Sequence, residues 1–488
     1  MKFSTALKNE SRKTYTENGA TAYNTTGDAL LDFFGSAGSL RSADESRITR
    51  LFADAYKENP LLATKALFYV RDVREGLGER RTFRVLLNYL ANMHPEALRN
   101  NIKYIGEYGR YDDLYSFVGT KLESAMWKYV RQQLMEDESN MRAGKSVSLL
   151  AKWLKTPDSS SHETRRLGAL TAYKLKVSIP TYKKRLRKLR RYIDVTEVRM
   201  SANEWRGIKY ENVPSRAMKL YKNAFNKHDG TRFSRYLNAV ESGTSKINSS
   251  TLYPYDILEE YFKDSYWHLA VRDTDRVLEA QWKALPNYLS EPANAIVVAD
   301  TSGSMYGRPL ASAVGLAIYF AERNTGAYHN MWMNFSGNPT VQRLRGETLH
   351  DKLVGIDYSN WGNSTNLEAV FDLILNIAKR NHVSSDEMVK SIIVISDMEI
   401  NHCSGSWSFY DEMRKRYKNA GYNIPNVVFW NVDSRNDVFH ADKNRKGVQL
   451  CSGQSASTFK ALMASIGMTP IEMMVKVLNS ERYKNITM

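Results

Sequence analysis

The chain has 488 residues, 42% hydrophobic and 25% charged, with a formal net charge of +16. That length suits roughly two to three domains with ample core. Two cysteines, Cys403 and Cys451, exclude a disulfide framework and favour a reducing compartment. No signal-peptide core follows Met1 and no apolar run reaches membrane-spanning length, so a cytoplasmic protein without a membrane partner is expected. The charge is uneven. Residues 291–400 carry eight Lys/Arg against twelve Asp/Glu, which puts the positive excess elsewhere, chiefly earlier in the chain. A basic N-terminal body fits a polyanionic partner, or a charge excess that serves solubility alone.

Residues 1–27 are polar and read as an extended arm. From Asp28 the pattern turns helical. Ser46 to Glu58, Pro60 to Arg71 and Arg80 to Met93 each place apolar residues three and four apart between short breaks. A charged loop, Arg71 to Arg81, joins two of them, and Tyr108 to Leu114 forms a glycine-marked turn. Helix following helix through 28–290 predicts a HEAT-like helical-repeat body, a horseshoe or ring, with no strict sequence period.

The most basic ground lies between 141 and 240. Seven of the nine residues from Lys183 to Arg191 are cationic: Lys183, Lys184, Arg185, Arg187, Lys188, Arg190 and Arg191. Leu186 and Leu189, with Tyr182 and Tyr192, give this helix one apolar side, so its cations should face out. Such a run is often a solvated face. Its like charges also repel at helical spacing, which an anionic partner would relieve. With Lys152, Lys155, Arg165 and Arg166 nearby, it is the candidate nucleic-acid surface. Trp205 and Tyr210 read as packing residues, and His228 as a structural or surface histidine.

Near 290 the pattern changes to alternating strands and helices, predicting an α/β doubly wound domain over 291–488. Ala295 to Ala299 is an apolar strand that runs into Asp300, Ser302 and Ser304, ahead of a helix from Arg308 to Arg323. Their alternate spacing lets three oxygen-bearing side chains converge, and oxygen ligands suit a hard divalent cation. Downstream, a polar loop carries Thr365 into a helix over Leu367 to Lys379, and the strand Ser391 to Ser396 ends at Asp397. Strand ends near a reversal of strand order are where open sheets present ligands. Asp300, Ser302, Ser304, Thr365 and Asp397 could therefore share one metal. No Gly-Lys-Ser/Thr phosphate loop and no Gly-x-Ser-x-Gly elbow surrounds them.

Asp-x-Ser-x-Ser, a loop threonine and a second strand-end aspartate resemble the metal-ion-dependent adhesion site of von Willebrand factor A domains. The resemblance implies Mg²⁺, or another divalent cation, held directly by Ser302 and Ser304. Asp300, Thr365 and Asp397 would bind directly or through water, leaving one position open for a partner's carboxylate.

A basic helical body ahead of such a domain resembles the Ro autoantigen arrangement. Gly76 to Arg81, Tyr108 to Leu114, Val213 to Met218 and Ala299 to Met305 resemble an uncharacterised Ro-like branch found in phages, bacteria and plants. The likeness implies a helical (TROVE-type) horseshoe or ring closed by the metal domain, and binding of structured and single-stranded RNA. The expected function is a non-enzymatic RNA-binding scaffold. A second expectation is a protein-interaction module, possibly in a phage or mobile-element assembly, that captures a partner carboxylate without RNA. Hydrolysis is not expected, since a general base and a second metal constellation are missing from the pattern.

Overall fold

Short polar caps and prolines start the helices of the first half. In the computed structural model, which describes residues 7, 10–263, 270–289, 291–335, 337–359, 361, 364–402 and 409–488, α1 (Ala29–Ser36) begins where Asp28 accepts the Leu31 N–H at 3.0 Å. After α2 (Glu45–Glu58), Asn59 does the same for Leu62 at the head of α3 (Pro60–Arg71), with Pro60 in the first turn. Each cap satisfies a donor that a first turn leaves open. Then come α4 (Arg80–Met93), α5 (Glu123–Arg142), α6 (His162–Lys174) and α7 (Ile179–Tyr192). Their apolar faces make one core, from Leu31, Phe33 and Phe52 through Phe68, Phe83 and Trp127 to Leu186 and Leu189.

A smaller core forms around α8 (Ser215–Glu241), where Tyr210, Phe225, Phe233 and Tyr236 pack together. The helix kinks at Asp229 (φ −149°, ψ 36°). There the carboxylate accepts the Tyr210 hydroxyl at 2.8 Å and pairs with Arg232, which holds the break in place. Trp205 stacks on the exposed His228 at 4.3 Å, so Trp205 serves packing and His228 is a surface histidine, as expected. α9 (Pro254–Tyr261) and α10 (Arg276–Lys283) lead to the sheet.

Three sheets occur among the described residues. β1 (Lys13–Tyr15) and β2 (Thr21–Tyr23) are antiparallel, as are β3 (Phe262–Lys263) and β4 (Ala270–Val271). The main sheet comprises β5 (Ala295–Asp300), β6 (Met331–Phe335), β7 (Thr340–Arg343), β8 (Ser391–Ser396), β9 (Asn426–Asn431) and β10 (Val448–Ser452). Its order is β10-β9-β8-β5-β6-β7, parallel except for β7. Helices cover both faces. Val297, Ala299, Ile393 and Ile395 pack with α11 (Arg308–Arg323), whereas Ile296, Val298, Ile392 and Val394 pack with α12 (Leu367–Arg380) and α13 (Phe409–Asn419). This alternation under two covers explains why β5 and β8 read as unbroken apolar runs. From β5 the chain crosses to β6 on one side and returns through α12 to β8 on the other, so strand order reverses at β5.

The two ends of the chain each settle on the other half. The segment expected as an extended arm is instead the β1–β2 hairpin, which buries Ala20 and Ala22 against α12, α13 and the sheet. Tyr23 and Phe439 exchange backbone hydrogen bonds of 2.8 Å in both directions. At the other end α14 (Pro470–Leu478) leaves the sheet, and Met474, Leu478, Tyr483 and Ile486 enter the helical core. Tyr483 stacks on Tyr108 at 5.7 Å, and Arg482 pairs with the buried Asp72 at 2.7 Å. The halves also meet where α9 packs on α11 and where α1 approaches β10. A Cβ on Gly38 would lie 2.6 Å from the Gly453 backbone. No helix among the described residues is long and apolar enough to cross a membrane.

Candidate metal site and basic surface

Asp300 ends β5 with no solvent exposure. Its Oδ1 accepts the Ser302 N–H at 2.9 Å and its Oδ2 accepts the Ser396 hydroxyl at 2.6 Å. The turn after β5 brings Ser302 Oγ within 3.2 Å of Ser304 Oγ. At the end of the neighbouring strand, Asp397 Oδ1 accepts the Glu399 N–H at 3.1 Å and its Oδ2 accepts Arg435 at 2.6 Å. Met398 turns the chain with a positive φ of 68°, and its N–H donates to Ser396 Oγ at 3.0 Å. Ser396 therefore fastens the two strand ends together. Thr365 is buried, and its carbonyl accepts the Asn401 N–H at 3.0 Å, tying the loop before α12 to the segment beyond Asp397.

The electrostatics of this cluster are unbalanced. Burial, and then the charge of Asp397, push the Asp300 carboxyl up to about 7, against the pull of the Ser396 and Ser302 hydrogen bonds. Arg435 faces Asp397, and no cation faces Asp300 among the described residues. An uncompensated buried carboxylate costs on the order of several kcal/mol. The donors are carboxylate and hydroxyl oxygens, which suit Mg²⁺ or Ca²⁺ over softer metals. No group of three or more His, Cys, Asp or Glu side chains converges anywhere among the described residues, this site included. Two carboxylates with hydroxyls differ from that type of site. Cys451 is buried and lies in the core, and Cys403 falls outside the described residues, as do Gly362 and Asn363 of the Thr365 loop.

Ser396, Arg435, Glu399 and Glu17 escaped the sequence reading. Ser396 stands directly before Asp397, so its place was readable. Arg435 and Glu17 carry no local signal, since both arrive by long-range contact. The β1–β2 turn lies along the segment after Asp397: Thr16 Oγ1 donates to the Ile400 carbonyl at 2.7 Å, and His402 N–H to the Asn18 carbonyl at 3.0 Å. Glu17 reaches Arg435 at 3.2 Å.

The fold engages most of the predicted basic surface internally. On α7, Tyr182, Leu186 and Leu189 are buried, as the apolar side requires. Lys183 pairs with Asp158 at 2.7 Å, Arg185 with Glu138 at 2.5 Å and Arg191 with Glu204 at 3.1 Å. Arg190 donates to the Ala151 and Leu154 carbonyls at 2.8 and 2.7 Å. Arg165 donates to the Ser159 and Ser160 carbonyls, and Arg166 pairs with Glu163 at 2.8 Å. Lys155 reaches Asp112 at 3.4 Å, and Lys152 lies 5.5 Å over the Trp153 ring. Lys184, Arg187 and Lys188 remain exposed on α7 with no ion pair among the described residues.

Residues 16–138 and 146–294 match the family described as domain of unknown function DUF2828, and residues 294–486 match domain of unknown function DUF7788. The first match spans more than half of the chain, which belongs to the DUF2828 family. The two matches meet one residue before β5 begins at Ala295. The chain is also 30% identical, over 507 residues, to an uncharacterized protein of Acanthamoeba polyphaga mimivirus, covering 95% of this chain and 87% of that relative.

Proposed function

We propose that the sheet-bearing half is a von Willebrand factor A-type domain that binds Mg²⁺ or another divalent cation, and that the whole chain is a non-enzymatic RNA-binding scaffold. The observation that carries the metal reading is Asp300, a fully buried carboxylate with no cationic partner among the described residues, linked through Ser396 to the strand that ends in Asp397. Ser302, Ser304, Asp300 and Asp397 would hold the ion, with Thr365 on the adjoining loop. The cation would offer a Lewis-acidic seat for a carboxylate or other anionic oxygen of a partner. Arg435, 40% exposed by its side chain, sits beside that seat and would add a second contact for the same anion. Chemistry on the bound group is not part of this reading.

The RNA reading rests on Lys184, Arg187 and Lys188, three unpaired cations on one exposed side of α7, in a chain of net charge +16. Their helix is held by the buried Tyr182, Leu186 and Leu189 on its other side, which supports an outward cationic face for phosphates. Filter binding of structured and single-stranded RNA at two salt concentrations tests it. Retention that falls as salt rises, with a log-log slope of about 0.7 to 0.9 per neutralised phosphate, is expected. No retention at low salt removes the RNA role. Separately, Mg²⁺ should raise the thermal midpoint of the wild type, and no rise removes the metal role.

A further inference from the structure

The charged loop Arg71 to Arg81 and the turn Tyr108 to Leu114 meet around Asp112 and Asp113, which are both buried. Asp113 takes Arg71 at 2.8 Å and Arg84 at 2.6 Å. Asp112 takes Arg110 at 2.8 Å through Nε, Arg84 at 3.0 Å and Lys155 at 3.4 Å. Arg110 also lies 3.8 Å over the Trp153 ring, where Lys152 approaches from 5.5 Å. Arg80, one turn before Arg84, makes no ion pair or hydrogen bond among the described residues. Two carboxylates thus face four bonded cations, with Arg80 and Lys152 beside them.

This is more positive charge than the carboxylates need. Burial and the charges of Arg110 and Arg84 hold the Arg80 guanidinium below its ordinary range. Arg84 Nη2 lies close to Asp112 but out of line for a hydrogen bond, leaving a buried donor unsatisfied. An added anion beside the exposed Arg80 would relieve the first effect. A guanidinium presents paired N–H groups that match phosphate oxygens, and several together hold a phosphate far better than one. From Arg84 a groove of about 670 Å³ follows α4, lined by Asn88, Asn92, Thr49, Ser116 and Glu45. Arg80, Arg84, Asn88 and Asn92 stand four residues apart, so they share one side of the helix.

We propose that Arg80, Arg84, Arg110 and Lys155 form a binding site for a phosphate-bearing ligand, with the α4 groove as the path for a chain of such groups. The site is separate from the exposed side of α7. A single-stranded polynucleotide would connect it to the RNA role proposed above, and a free phosphate ester would not. Arg84, Arg110 and Lys155 also anchor the buried carboxylates, so Arg80 is the residue whose removal reports on the ligand and not on the fold.

The experiment uses the full chain and two probes: fluorescence anisotropy of a labelled single-stranded RNA of about twelve nucleotides, and thermal stabilisation by inorganic pyrophosphate. Arg80→Ala should weaken RNA binding roughly five-fold, in keeping with one lost charge-assisted contact, and Arg80→Glu further, with unchanged thermal midpoints in the absence of ligand. Lys379→Ala, which removes an exposed cation in the last turn of α12, should bind as the wild type. Arg80-dependent loss with RNA alone assigns a polynucleotide chain, and with both probes a site satisfied by the phosphate group itself. Pyrophosphate stabilisation through Arg80 in a protein that ignores RNA keeps this site and removes the RNA role. RNA binding indifferent to Arg80→Glu, or no response to either probe, overturns the site.

Discussion

Two pairs of buried carboxylates, treated in opposite ways, organise this molecule. Asp112 and Asp113 lie where helices meet, wrapped by Arg71, Arg84, Arg110 and Lys155. Burial would raise the Asp112 carboxyl, but Arg110, Arg84 and Lys155 outweigh it and hold that carboxyl well below the usual range. Asp300 and Asp397 end adjacent strands, Arg435 pairs with Asp397, and the Asp300 carboxyl is pushed up to about 7. Both carboxyls are buried, with opposite consequences. Where cations exceed acids, the cluster locks the fold and has positive charge to spare. Where acids exceed cations, the cluster has room for a positive ion. Sites can be inferred from the sign of the charge left over.

The comparison breaks most sharply at Asp113. Asp113→Ala leaves Arg71, whose side chain is 3% exposed, without its partner. A loss of about 3 to 5 kcal/mol of unfolding free energy is expected, read as a lower urea midpoint. An unchanged midpoint would mean that the lock is dispensable. At the other pair the sign reverses. Asp300→Asn should raise the thermal midpoint of the metal-free protein, because it removes the charge that burial and Asp397 oppose. The wild type should gain about 2.7 kcal/mol when Mg²⁺ is a hundred-fold above its Kd, and the variant should gain nothing. Equal responses to Mg²⁺ in calorimetry would break the cation reading.

The acidic pair also sets a pH dependence. The folded Asp300 carboxyl titrates near 7 against an ordinary value of 3.8, so the folded state holds this proton more tightly than the unfolded chain. Its contribution is complete below the unfolded value and is lost as pH rises through 7. Without Mg²⁺, stability should fall on the order of 2 kcal/mol between pH 5 and 8, and denaturation of Asp300→Asn should lack that component. The smallest effect on stability belongs to the exposed face of α7. Replacing Lys184, Arg187 and Lys188 together by Glu should change the unfolding free energy by less than about 0.5 kcal/mol. The same change should flatten the salt dependence of single-stranded RNA binding by about 2 in log-log slope. A slope that does not move would place the RNA elsewhere.

Local pattern revealed much of the α/β half. The apolar run of β5 ends at Asp300 and that of β8 at Asp397, and parallel pairing then brings the two ends together. The helices α11 and α12 were equally plain, because each obeys one period over its whole length. Other features had no such period. β7 is four residues long with two of them exposed, and β1 and β2 are three residues each, too short to stand out from a polar segment. Arg435 meets Asp397, and Tyr483 meets Tyr108, only through the finished fold. The basic run showed where cations are, but not that Arg185 and Arg190 are engaged by Glu138 and by backbone carbonyls. Charge along a chain counts residues, whereas charge on a surface depends on which have already found partners.

The exchange of chain ends has a mechanical consequence. With β1–β2 seated against the sheet and α14 seated among the helices, the backbone between α10 and β5 is not what keeps the halves together. A protease cut in that connection should release no free domain. The two fragments should travel as one particle on a sizing column and part only when denaturant dissolves both seats and the core that α9 and α10 share with α11, as two interlocked hooks come apart only when each is straightened.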